Sequence, residues 1–345
     1  MDGEIFYIVC CSQGRDGGIM TLRRSGTRSE FRAFAELAGA NFLIAAADGK
    51  RFYASGSDAE MRGYVAALRA DEDGALTVAN IVATGGNGCC HLCLSPDEKR
   101  LYAANYRGGS VSGFAVQSDG TLAECREFDQ HVGRGVDPDR QEGPHAHFCG
   151  FSPDGKFLLV NDLGLDLIFA YPYDPERGID VAAARKNPVA PAGAGPRHLL
   201  FEPEGTCLLV TEMGNGLQRL AFADGGFAKL AEVSTLPAGR TEKSKAAALR
   251  ISPDGRFALA SNRGFDSLAV FERKSLQLVS VAETGGKSPR DFAFLADGRT
   301  VAVTNEFTPN VVFFDFDAAR GNLSPTGEVL TMARPLCVLP RSEGR

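Results

Sequence analysis

The chain has 345 residues, 44% of them hydrophobic, which is enough apolar surface for a large core, and a formal net charge of −6. An acidic chain lacks the basic face that nucleic acid requires, and no apolar run approaches the ~20 residues that cross a bilayer, so neither partner is expected. The nine cysteines sit mostly inside apolar runs without metal-ligand spacing, so they read as buried thiols of a reducing compartment, with the cytoplasm as the default location.

The first strand is Glu4–Cys10 and a second covers Ile19–Leu22, so the chain opens in the middle of a repeating unit. From there one pattern recurs: a polar cluster, a short apolar strand, an acidic residue followed in most units by Gly, a second apolar strand, and a second polar cluster. The turn acids are Asp48, Asp97, Asp154, Glu204, Asp254 and Asp297, at intervals of 43 to 57 residues. A two-residue turn between apolar runs is a hairpin signal, and periods of about 40–50 residues built from short strands mark propeller blades. Each unit has room for four strands of about five or six residues. The segment His131–Gln141, with Gly133, Gly135 and Asp137-Pro138-Asp139, reads as a loop crossing a face of the disc, with His131 facing solvent. The Pro- and Ala-rich segment Asp174–Gly195 reads as an inter-blade loop. At the far end, Arg334–Leu339 matches the innermost-strand position of the other units.

These elements predict an all-β fold: one seven-bladed β-propeller domain over residues 1–345, with four-stranded antiparallel blades. The ring closes where the C-terminal strand joins the N-terminal strands in a shared blade, which leaves no open sheet edge. In such a blade the start of strand one and the end of strand two share a face. Strand-one starts carry His91, His145, His147, Arg197, His198, Arg250, Arg290 and Asp291. Strand-two ends carry Asn105, Tyr106, Asp162, Glu212, Asn262, Arg263, Asn305 and Glu306. Taken singly, Asn105 or Asp162 reads as a structural bond to a neighbouring blade. Taken together, His147, Arg197, His198, Glu212 and Arg263 come from three units and are types that resist burial without partners, which points to a functional cleft at the mouth of the channel. No His-x-x-x-His spacing appears, so a metal site is the weaker variant.

Four blocks then carry a family resemblance: Gln141–His147, Gly195-Pro196-Arg197-His198, Ser261–Ser267 and Lys287–Phe292. Together they resemble the lactonase-type seven-bladed propellers, which include propeller-type 6-phosphogluconolactonases and 3-carboxy-cis,cis-muconate lactonizing enzymes, over roughly residues 4–340. The resemblance implies a reactive set of His147 (or His145), Arg197, Glu212 and Arg263. His91, His145, His198, Arg250, Arg290 and Asn262 are the expected substrate-binding residues. It also implies an anionic small-molecule lactone as substrate and no metal or other cofactor. Thr211 stands where the family usually has Asn, and Ala248 where it often has Glu. Lactone hydrolysis needs a base to activate water and cations to receive the anion and the developing oxyanion, roles that Glu212 or His147 and the arginines fit. No Gly-x-Ser-x-Gly elbow suggests an acyl-enzyme. The alternatives are a carboxymuconate-type cycloisomerase using the same residues, and a non-catalytic propeller presenting a face to a protein partner.

Overall fold

A computed structural model describes residues 3–240 and 243–341. Its sheets are antiparallel and follow one another around a ring of seven blades, each ordered from the channel outwards. The innermost strands are Ala40–Ala45, Cys89–Leu94, Ala146–Phe151, Pro196–Phe201, Lys245–Ile251 and Pro289–Phe294 for blades 1 to 6. Blade 7 is composite: Pro335–Pro340 is innermost, and Glu4–Cys10, Gly18–Ser25 and Arg28–Glu36 lie outside it. Phe6 pairs with Pro340 and Val9 with Cys337, so the expected closure between the two ends of the chain is present.

The composition of each strand follows from its radial position. Second strands are buried on both faces because neighbouring blades stack on them. Phe157–Asp162 and Thr300–Asn305 are buried at every residue, and such strands read as continuous apolar runs. Outermost strands are covered on one side and alternate, as in Asn322–Thr331. Among the described residues the apolar side chains form seven clusters, one at each interface between blades. At the hairpins between strands one and two, Ser152 Oγ donates to Asp154 Oδ1 at 2.7 Å and Ser252 Oγ to Asp254 Oδ1 at 2.5 Å. Gly155 and Gly255 then take φ of 69° and 71°. In blade 2 Glu98 occupies that left-handed position, and its carboxylate reaches back to Arg51 of blade 1 at 2.7 Å.

One expectation is corrected. The segment Asp174–Gly195 holds the outermost strand of blade 3, Arg185–Pro188, together with the two-residue strand Gly178–Ile179. An exposed edge strand with the sequence Arg-Lys-Asn-Pro has no apolar alternation to betray it, and its proline is tolerated at an edge.

The closure yields a prediction. A chain ended at Thr331 lacks the strand that covers Phe6–Cys10 and breaks the two clusters that contain Cys337 and Val338. Circular dichroism on heating should show no cooperative transition for it. A truncated chain that melts as sharply and as high as the full chain would contradict this account of the ring.

Candidate functional site

The site begins with a defect that every innermost strand repeats. Pairing between strands one and two slips by a residue at the start of strand one, between Ala40 and Phe42, Cys89 and His91, Ala146 and Phe148, Pro196 and His198, and Pro289 and Asp291. Blade 5 skips Ala247 and Ala248, and blade 7 slips opposite Leu336. A bulge leaves its extra residue unpaired and re-aims its side chain. The bulged residues Asn41, Cys90, His147, Arg197, Arg290 and Leu336 thus converge at the top of the channel. All but Arg197 line a cleft of about 550 Å³, and Arg197 lines a narrow continuation of about 20 Å³ beneath it.

The residues that follow the bulges form an aromatic floor. His91 stacks on Phe42 at 4.3 Å and lies 4.7 Å from Phe148 and 5.4 Å from His198. Burial, with Arg197 and Arg250 nearby, pushes His91 down to about 3. Burial likewise drives His198 and His147 well below the ordinary histidine range, in both cases with Arg197 as the next cause, so all three rings are neutral at neutral pH. Glu212 pulls His147 the other way without prevailing, and His147 Nδ1 is buried with no hydrogen-bond partner in the protein.

Glu212 is the electrostatic centre. Its carboxylate lies 2.7 Å from Arg140 Nη2, 3.1 Å from Arg197 Nε and 2.5 Å from Arg263 Nη2, and it is 2% exposed. Burial alone would raise its pKa, but Arg263 and Arg197, with His147 and Arg140, outweigh that and hold the carboxyl well below the usual range. Burial and the charge of Arg263 depress Arg197 to about 9, which leaves it cationic at neutral pH. Arg197 Nε and both Arg263 Nε and Nη2 have no aligned hydrogen-bond acceptor, so the contacts to Glu212 are Coulombic and leave donor capacity unspent. Across the cleft Glu306 pairs with Arg334 at 2.8 Å and lies 3.6 Å from Arg290. With Arg107 and Lys245, the lining carries six cations against two carboxylates, although the chain as a whole is acidic. Cys90 also faces the cleft, but burial pushes its thiol up to about 12.

Of the residues expected from sequence, His147, Glu212, Arg263 and Arg290 line the cleft, and Arg197 and His198 lie directly below. Four are elsewhere. His91 belongs to the aromatic floor. His145 stacks behind Tyr106 at 4.6 Å, with Nδ1 2.9 Å from the Tyr106 carbonyl. Arg250 follows its bulge, points deeper and pairs with Asp291 at 2.6 Å. Asn262 is fully buried and bonds Thr235 of the preceding blade and Ser267, the structural role weighed for such residues. His131 is a correction: it is buried, not solvent-facing, bonded to Asp162 and Tyr171 and stacked on Phe169 at 3.8 Å. Sequence reading missed Arg140, Arg107, Lys245, Arg334, Asn41 and Cys90. Aligning the repeats on their bulges would have found Asn41 and Cys90 as equivalents of His147. Arg140 lies outside the repeat and has no such signal. Among the described residues, no three His, Cys, Asp or Glu side chains converge as a metal-binding set.

The family described as "Lactonase, 7-bladed beta-propeller" matches residues 5–340. The chain is 32% identical over 349 residues to a 6-phosphogluconolactonase of Bacillus subtilis, covering 98% of each. It is 29% identical to a 6-phosphogluconolactonase of Formosa agariphila, covering 90% of each. The solved periplasmic gluconolactonase of Pseudomonas aeruginosa superposes with a TM-score of 0.92 at 29% identity, covering 99% of each chain.

The histidine floor makes acid stability testable. Folded His91 stays neutral down to about pH 3, whereas the unfolded chain takes up that proton near pH 6.5. The unfolded state therefore binds more protons, and stability is lost as pH falls below about 6.5, at up to about 1.4 kcal/mol per pH unit for this one group. His91→Phe, which keeps the stack, should flatten the slope of urea-derived stability between about pH 6 and pH 5 by about that amount. An unchanged slope would show that His91 is not buried neutral.

Proposed function

The chain belongs to the seven-bladed β-propeller lactonases, and on that premise we propose that it opens a phosphorylated sugar lactone, 6-phosphogluconolactone, to 6-phosphogluconate. The observation that carries the reading is the cationic cleft, lined by Arg263 and with Arg197 directly beneath it, where both arginines keep unspent donors beside a neutral His147. Guanidinium forks suit both a phosphate and the oxyanion that forms when water attacks the lactone carbonyl. Both oxygens of Glu212 are engaged by arginines, so its carboxylate is occupied as their counter-charge. In the neutral Nε2–H tautomer of His147 the unpartnered Nδ1 carries the lone pair, and we assign it the role of base. Water adds to the carbonyl carbon as His147 accepts its proton. The ring C–O bond then breaks, and the proton passes to the departing ring oxygen. Glu212 keeps the arginines in register and balances the imidazolium while it exists. The nine unpaired cysteines support a reducing compartment, which for this reading is the cytoplasm.

The test is hydrolysis of 6-phosphogluconolactone above its spontaneous rate. Wild type should accelerate it whether or not EDTA is present, and should favour it over unphosphorylated gluconolactone. Arg197→Ala should lose about 10²-fold or more in kcat/KM. No acceleration by wild type would sink this substrate, and turnover of a carboxylated lactone or muconate instead would move the chain to the cycloisomerase reading.

A further inference from the structure

Residues 131–145, between the outermost strand of blade 2 and the innermost strand of blade 3, cross the face of the disc with little apolar anchorage; Val132 and Val136 project into solvent. The segment nevertheless delivers Arg140 Nη2 to Glu212 Oε1 at 2.7 Å and to the Tyr106 hydroxyl at 3.0 Å. Its hold is polar and converges on one corner. At its start His131 Nδ1 lies 2.6 Å from Asp162 Oδ2, and at its end the His145 amide donates to Asp162 Oδ1 at 2.7 Å. Between them buried Gln141 donates to the Leu163 carbonyl at 2.9 Å and accepts from the amides of Val136 and Asp137.

With Asp129 and Asp162 both ionised, the contacts fix where the protons of the clasp sit. Tyr171 donates its one hydroxyl proton to Asp129 Oδ2 at 2.7 Å, because a carboxylate can only accept. His131 Nε2, 2.8 Å from the same hydroxyl oxygen, must then be the donor there. Asp162 Oδ1 accepts from the amides of His145 and Leu165, and the ionised Oδ2 has no proton to give, so His131 Nδ1 donates to it as well. Both ring nitrogens carry protons. The resulting buried imidazolium lies against the Phe169 face, bonded to Asp162 directly and linked to Asp129 through the Tyr171 hydroxyl, with Lys186 Nζ 5.6 Å from the Phe169 ring centroid as the nearby cation.

We propose that Asp162 is a positioning residue of the cleft: through a doubly protonated His131 and the His145 amide it clasps both ends of the segment that holds Arg140 on Glu212. The clasp stands on its own geometry, whichever lactone the cleft takes. Asp162→Asn is isosteric and removes the charge. Three readouts test it in the full chain. Nitrogen-15 NMR at pH 7, with His131→Asn to assign the signals, should show both N–H groups of His131 in wild type and their loss in Asp162→Asn. Amide exchange over 132–144 should quicken by at least about tenfold in that variant while the second strand of blade 4, Thr206–Thr211, stays protected. Titrating 6-phosphogluconate, Asp162→Asn and Arg140→Ala should each weaken binding, and the double variant should be no weaker than Arg140→Ala alone, because coupled residues are non-additive. A singly protonated His131 in wild type, unchanged exchange, or additive losses would overturn the proposal. Absence of 6-phosphogluconate binding by wild type would count against the substrate assignment, and the NMR and exchange results would still decide on the clasp.

Discussion

Because every second strand is buried on both faces between neighbouring blades, polar side chains can be placed only where the strands end. That constraint organises the molecule. It keeps the middle of the second strands predominantly apolar, places the hairpin acids on one face of the disc, and gathers many of the remaining polar groups at the other. The bulge at the start of each innermost strand adds the second element. It breaks pairing at one residue per blade, or two in blade 5, and turns the freed side chains toward the axis. The cleft is therefore built from equivalent positions of one repeat, filled differently in each blade: Asn41, Cys90, His147, Arg197, Arg290 and Leu336.

Gathering cations in a buried mouth has an energetic consequence. Arg197 and Arg263 repel one another and lose hydration, and Glu212 is the counter-charge that holds them together. Burial, with that field as the next cause, keeps His147 neutral beside unspent cationic donors. An anionic ligand with an electrophilic carbon is the partner that such a field favours, which agrees with membership of a lactonase family. Below lies the His91–Phe42–Phe148–His198 floor, whose two histidines stay neutral because burial disfavours their charging.

Much of this was legible in the chain. The Ser-Pro-Asp-Gly turns and the apolar runs around them are local signals, since each states its own turn geometry and strand, and their recurrence alone gives blades, ring and closure. His147, Arg197, Glu212, Arg263 and Arg290 come together because they occupy repeat positions that the topology maps onto one face. The residues that lie away from the cleft share a cause. His91, Arg250 and Asn262 also sit in the repeat, but a strand position fixes only the face of the disc. Whether a side chain tops the bulge, lies beneath it or bonds the next blade depends on a one-residue slip in pairing. His131 looked like a loop residue because its partners, Asp162 and Tyr171, are 31 and 40 residues away.

The sequence by itself therefore determined the repeat, the number of blades, the composite seventh blade and the face on which the polar clusters gather, because these follow from periodicity and turn chemistry within about 50 residues. The tertiary structure decided which polar side chains meet. Arg140 reaches Glu212 across 72 residues from a segment outside any repeat, and Glu212 joins guanidiniums from blades 4 and 5 as well. Protonation was decided there too, since the neutral state of His147 and the paired state of His131 depend on burial and on charges from other blades, which no local stretch of sequence specifies.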